Sequence, residues 1–122
     1  MISPLQIIRI HDGTITPPGP KMVVCIHPGQ GWYYRINSKN HWKPAVLIAR
    51  DPHHKFLDHD SYLECGDPLE LDDFVVEESI RFKGILGQIS PALCPEIIAA
   101  LKDARYLKEI DKDDIRAILG KC

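Results

Sequence analysis

The sequence predicts an α+β fold, mainly β, in which a small antiparallel barrel is followed by two C-terminal helices. Two observations carry this. Short apolar, β-branched runs recur through the first two thirds of the chain between clusters of Gly, Pro, Asn and Asp, with no helix-length periodicity between them. Beyond residue 90 apolar residues recur three and four apart, which is the period of a helix. A chain of 122 residues, 44% hydrophobic, suits one domain around one core, with residues 1–89 as the barrel and 90–122 as the helical tail.

Residues 5–10 form the first predicted strand, closed by His11-Asp12-Gly13-Thr14, and Thr16-Pro-Pro-Gly-Pro20 is a loop because proline cannot donate to a ladder. Strands follow at residues 22–26, 32–36 and 45–49, separated by a turn at 28–31 and a polar loop at 37–41. Residues 62–65 and 80–86 are the remaining predicted strands, and 52–60 and 66–73 are loops. In the tail, Leu93, Ile97, Leu101 and Ala104 share a helical face. A short turn precedes a helix beginning near Pro95, since proline deeper inside would remove a backbone hydrogen bond. A second helix is predicted from Asp111, whose side chain caps it, with Ile110 and Ile115 as a hydrophobic staple and Gly120 as its end.

Composition excludes several classes. The apolar runs at 22–26 and 45–49 are far shorter than the roughly 20 residues a membrane span needs. The first residues lack the charged start and long apolar stretch of a secretory leader, so the expected location is cytoplasmic. Cys25, Cys65, Cys94 and Cys122 are widely spaced with no C-x-x-C pair, which argues against zinc and against a disulfide framework; they are expected to be small core residues.

Net charge at neutral pH is −2, yet the charges are segregated. Seven Lys or Arg precede Asp58 against only Asp12 and Asp51, whereas residues 58–78 carry nine carboxylates and no Lys or Arg. Such asymmetry speaks of partners and steering rather than of fold.

The stretches PPGPKMVVCIHPG, WYYRINS, FLDHDSYLEC and KGILGQISPALCPEIIAAL, spanning about residues 18–105, resemble a divergent branch of the PemK/MazF-like toxins. Leu86-Gly-Gln-Ile-Ser90 before a helix is the most recognisable piece. The resemblance implies an SH3-like barrel, a homodimer, a small antitoxin as protein partner, and cleavage of single-stranded RNA without metal or other cofactor. It places Lys21 where the family has a cation, usually Arg, before the apolar strand after the first loop, and Ser38 where the family has its catalytic Thr or Ser. Two departures bear on activity: the family's Gly-Asp opening is absent, and lysine lacks the bidentate fork of arginine. The alternative is a non-catalytic SH3-like binding module, for a protein or nucleic-acid partner, of the kind a mobile genetic element carries.

Cutting RNA through its own 2′-hydroxyl needs a proton acceptor, a proton donor and positive charge beside the phosphate. Lys21, Arg35 and Lys39 supply charge, Ser38 a hydrogen bond, and His27 or His41 a proton carrier. The plain counterpart is a turn serine among solvated lysines. For binding, Lys39, Trp42 and Lys43 interleave an aromatic face with cations, as single-strand binders do. Strand alternation buries part of the neighbouring set: with Trp32, Tyr34 and Ile36 in the core, Tyr33 and Arg35 face the other way, and only one of these sides can be wet. Trp42, in a loop before Lys43-Pro44, is expected to be exposed.

His53, His54, Asp58, His59 and Asp60 are ligand types for zinc, nickel or manganese, but their spacing fits no established site, and a small metal enzyme is the weakest of three readings. Their expected role is architectural, with His59 or Ser61 fixing the loop while Phe56, Leu57 and Tyr62 plug the barrel end. The acidic run is a solvated loop or a counter-surface for the basic half. Geometry discriminates: carboxylates of residues 64–78 lying beyond about 8–10 Å from Lys21, Arg35 and Lys39 leave the groove to RNA, and carboxylates paired with those cations favour the binding module.

Overall fold

Alternation along the longest strands sends neighbouring residues into two different cores. The computed structural model describes residues 1–121. The chain runs β1 (Gln6–Asp12), β2 (Gly19–His27), β3 (Trp32–Asn37), β4 (Ala45–Ile48), β5 (Ser61–Glu64), β6 (Leu69–Glu70), α1 (Asp73–Lys83), β7 (Gly87–Gln88), a 3-10 turn at Pro91–Leu93, α2 (Cys94–Leu101) and α3 (Glu109–Leu119). One curled, half-barrel sheet holds the strands in the order β4-β5-β3-β2-β1-β7, with β6 on β3, and every pairing is antiparallel. The fold is therefore α+β and mainly β.

On one face Ile7, Val24, Ile26, Tyr34 and Ile36 join Val46, Ile48 and Leu63 against Ile97 and Leu101 of α2 and Ile115 and Leu119 of α3. On the other, Ile8, Ile10, Val23, Cys25 and Tyr33 meet Val76 of α1, with Val75 and Ile80 packed beside it. Burial on both faces explains why β2 reads as an uninterrupted apolar run rather than an alternating one. Tyr33 is buried beneath α1, so the side of β3 opposite Tyr34 is dry over part of its length and becomes accessible only towards Arg35.

Cys25, Cys65 and Cys94 are buried, and burial pushes the Cys25 thiol up to about 12, which makes it an inert core residue at neutral pH. Cys122 lies outside the described residues. No helix among the described residues is long and apolar enough to cross a membrane.

Several elements depart from the sequence expectation, among them β6, which lies inside the expected loop 66–73, and β7, which follows the expected strand 80–86. Residues 80–86 are not a strand: α1 occupies 73–83, between two very short strands. Asp72 accepts from the Val75 amide at 3.0 Å, Arg81 and Lys83 sit in the last turn, and Gly84 ends the helix at φ 74° with its N–H on the Ile80 carbonyl. These are start and stop features that favour a helix. The Pro-rich loop is shorter than 16–20, since Gly19 and Pro20 already lie opposite Asp12 and His11. The last helix starts at Glu109 with Lys108 at its cap and no side-chain cap bond, so Asp111 lies inside the first turn and neither caps nor borders a staple. Ile110 is exposed while Ile115 is buried. The expected turn before α2 and the end of α3 at Gly120 are present.

The β2–β3 turn fixes where β6 attaches. Gly31 has φ 70°, its carbonyl accepts from the Leu71 amide at 2.8 Å, and a Cβ at that position would collide with the Leu71 carbonyl.

Candidate functional site

The face that α1 covers changes character towards one end of the strands. Register places Ile8, Val23 and Arg35 side by side and Ile10 beside Lys21, so Lys21 continues the line of Val23 and Arg35 that of Tyr33. Where the apolar cover ends, a groove of about 460 Å³ opens, lined by Thr14, Lys21, Arg35, Asn37, Trp42 and Glu64 among others. Of the expected catalytic set Lys21, Arg35 and Ser38, the first two share this groove, and Trp42 of the expected binding set Lys39, Trp42 and Lys43 joins them.

Arg35 is held from the side. Its Nε donates to Asp12 Oδ2 at 2.7 Å and its Nη2 to Thr14 Oγ1 at 2.8 Å, while the Thr14 hydroxyl and amide donate to Asp12 Oδ1 at 2.6 and 3.0 Å. Nη1 has no partner among the described residues. Asp12 is only 3% exposed. Burial alone would raise its carboxyl, but the bonds from Arg35 and Thr14, with the charge of Arg35, outweigh it and bring the group to about 2. The guanidinium is thus pre-oriented by a carboxylate that stays ionised throughout the neutral range.

The Lys21 ammonium titrates below the usual lysine range, chiefly because burial disfavours the charged form; the charge of Glu64 opposes that shift and the charge of Arg35 adds to it. Across the strands, buried Asn37 of β3 donates through Nδ2 to Glu64 Oε1 of β5 at 2.9 Å and so aims that carboxylate. The groove therefore combines one oriented acceptor, two cations and an aromatic rim. Trp42 is 54% exposed and the His41 ring meets it edge-on at 5.7 Å.

Other expected site residues lie elsewhere. Ser38 and Lys39 are exposed in the turn after β3 and do not line the groove. Lys43 lines a second cavity with His41, Pro44, Ala45, Asp103 and Arg105. His27 packs edge-on against Trp32 at 5.4 Å and accepts from the Gln30 amide, well along β2 from Lys21. Asp12, Thr14, Asn37 and Glu64 are functional candidates that sequence reading missed. The Asp12-Gly-Thr14 turn was the one local trace of them, because an Asp that accepts from the residue two ahead is a turn former.

The acidic run divides between locations. Glu64 is its one member lining the groove, and it is bonded to Asn37 with no ion pair to a cation among the described residues. Asp72 caps α1 and Glu78 pairs with Arg81 at 2.7 Å. The discriminating geometry thus comes out mixed: Glu64 shares the groove of Lys21 and Arg35, and the carboxylate bonded to Arg35 is Asp12, from outside the run.

The histidine-rich loop is tied by its own side chains. Buried His54 bonds the Ala49 carbonyl through Nδ1 at 2.8 Å and accepts the Ser90 amide on Nε2 at 3.0 Å, which assigns the proton to Nδ1. Ser61 Oγ donates to the His59 carbonyl, Arg50 reaches Leu57 and Asp60, and Leu57 is buried with Phe56 packed against the core. Among the described residues no three His, Cys, Asp or Glu side chains converge to hold a metal ion. Comparison with protein-family models, curated proteins and solved structures finds no match for this chain.

Proposed function

We propose that the groove between β2, β3 and β5 binds single-stranded RNA and cleaves it by attack of the 2′-hydroxyl, on an SH3-like barrel of the PemK/MazF type. The observation that carries this reading is the convergence of Lys21, Arg35 and Glu64, three charged groups of both signs, in one groove with Trp42 on its rim. In the proposed step Glu64 takes the proton of the 2′-hydroxyl as the 2′-oxygen bonds phosphorus. The bond from phosphorus to the 5′-oxygen breaks, and Lys21, made more acidic by burial, returns a proton to that oxygen. The products are a 2′,3′-cyclic phosphate and a 5′-hydroxyl. Arg35 Nη1 stabilises charge on a non-bridging oxygen, and Trp42 stacks a base. Ser38, displaced from the groove lining, has no part in this step. A small antitoxin and a second copy of the chain are the protein partners this reading implies.

A second reading, a non-catalytic binding module, is favoured by the engagement of Arg35 with Asp12 through Nε and with Thr14 through Nη2, which commits two of its nitrogens within the fold. Incubation with an end-labelled, unstructured RNA in EDTA separates the two. Cleavage to cyclic-phosphate ends that is abolished in Lys21→Ala and Glu64→Gln supports the nuclease; intact RNA, or cleavage indifferent to both substitutions, overturns it.

A further inference from the structure

A second cavity lies beside Trp42 in sequence. His41 and Lys43, the residues flanking it, line the second cavity, of about 730 Å³, whose opposite wall is Asp103 and Arg105 from the connection between α2 and α3. Three consecutive residues thus form the ridge between two cavities, with Trp42 turned to the first and its neighbours to the second. The second cavity brings Lys43, Arg105 and the His41 imidazole against a single carboxylate, that of Asp103, so it favours an anion.

Exposed aromatics adjoin those cations in sequence. Tyr106, next to Arg105, is 82% exposed, and Trp42, next to Lys43, is 54% exposed. An acidic peptide would need the cations and leave both rings idle, whereas a single strand of nucleic acid uses phosphate on the cations and bases on the rings.

We propose that this second cavity is a subsite for the nucleotides flanking the scissile bond, with Arg105 and Lys43 on phosphate and Tyr106 stacking a base. The proposal rests on the reading of the first groove as an RNA site and extends it across Trp42. It also explains why Lys43, absent from the first groove, lies next to a residue that lines it. Arg105 carries the planar donor edge that suits phosphate better than an ammonium does.

The test is equilibrium binding of fluorescein-labelled trimeric and 12-residue 2′-O-methyl oligouridylates, which lack the attacking hydroxyl, to wild type, Lys21→Ala, Arg105→Ala and Tyr106→Ala, beside the cleavage assay on unmodified RNA. Arg105 and Tyr106 are exposed, and circular dichroism with thermal unfolding verifies that each variant is folded. The expected result is that Arg105→Ala and Tyr106→Ala each lower the ratio of 12-mer to trimer affinity about fivefold or more. Arg105→Ala should also reduce the salt slope of 12-mer binding by about 0.7, one phosphate contact on a single strand. Lys21→Ala should weaken both lengths. An unchanged ratio in both Arg105→Ala and Tyr106→Ala overturns the subsite, whatever Lys21→Ala does. A fallen ratio with RNA left uncleaved keeps the subsite and overturns the nuclease reading. Displacement of the 12-mer by an oligoglutamate of equal charge as readily as by unlabelled RNA overturns the nucleic-acid assignment, and absence of binding at either length overturns both proposals.

Discussion

Arg35 Nε donates to Asp12 Oδ2 at 2.7 Å across the first three strands, and the carboxylate is nearly removed from solvent while the guanidinium still reaches the groove. The pair acts as a bracket that holds a cation at the mouth of a cavity, and it links the stability of the sheet to the chemistry of the site. Because Asp12 titrates at about 2, below the ordinary carboxylate value near 4, the unfolded chain binds its proton more readily than the folded one. Its contribution is complete above about pH 4 and lost as pH falls towards 2. Urea unfolding followed against pH should show a loss of roughly 1 to 2 kcal/mol over that window that is missing in Asp12→Asn. Equal acid sensitivity in both proteins would show that the bracket is not what titrates.

Removing the carboxylate at neutral pH should cost more than removing both partners. Asp12→Asn leaves Arg35 partly buried without its counter-charge, and a loss of about 2 to 4 kcal/mol is expected. The double variant Asp12→Asn with Arg35→Gln should recover part of it. A double-mutant cycle with no coupling would contradict the bracket.

How far the site was legible in the sequence follows from the distances in sequence that its bonds span. Lys21, Arg35 and Trp42 were found because cations and an exposed aromatic announce themselves locally. Asp12 and Glu64 were not, because their partners Arg35 and Asn37 lie 23 and 27 residues away, and only the register of β1 with β2, of β2 with β3 and of β3 with β5 brings them in. The strands were legible since burial on both faces leaves apolar runs at 22–26 in β2 and 32–34 in β3. Helix α1 was not, because Phe74 and Phe82 point to solvent and break its period, leaving Val75, Val76 and Ile80 as the core-facing set. Strands β6 and β7, two residues each, are set by pairing with β3 and β1 rather than by any local preference.

The hydroxyl of Tyr34 gives a prediction of opposite sign. It is buried in the larger core and has no hydrogen-bond partner among the described residues, and burial pushes its pKa far up. An unmatched buried hydroxyl forfeits its bonds to water, so Tyr34→Phe should be neutral or stabilising by up to about 1 kcal/mol. Thermal unfolding decides this, and a clear drop in Tm would mean that the hydroxyl is satisfied.

His54 should be structural rather than functional. Its two ring nitrogens join the Ala49 carbonyl to the Ser90 amide, so they tie the loop after β4 to the start of the helical tail. His54→Ala leaves the Ala49 carbonyl and the Ser90 amide without their ring partner and opens a space beside Phe56, for an expected loss of about 1 to 3 kcal/mol. RNA binding by the folded fraction should be unchanged. The neighbouring exposed His53→Ala should alter stability by less than about 0.5 kcal/mol, and an equal effect of the two would deny His54 its special place.

Glu64 and Lys21 are coupled through the groove, and the sign of that coupling can be measured without any substrate. Burial lowers the Lys21 pKa and the charge of Glu64 raises it, so Glu64→Gln removes the opposing influence and leaves burial and the Arg35 charge to act together. The neutral amine fraction of Lys21 at a given alkaline pH should therefore increase, and its acetylation rate at pH 8 should rise in Glu64→Gln relative to wild type. Asp12→Asn should shift Lys21 in the same direction by less, because Asp12 is the weakest of the influences on it. Exposed Lys39 serves as the internal reference, since it lies outside the groove lining and should acetylate equally in all three proteins. A fall in Lys21 reactivity, or no change against Lys39, would show that the two groups do not sense each other, and the paired acid and base roles assigned to them in RNA cleavage would lose their physical basis.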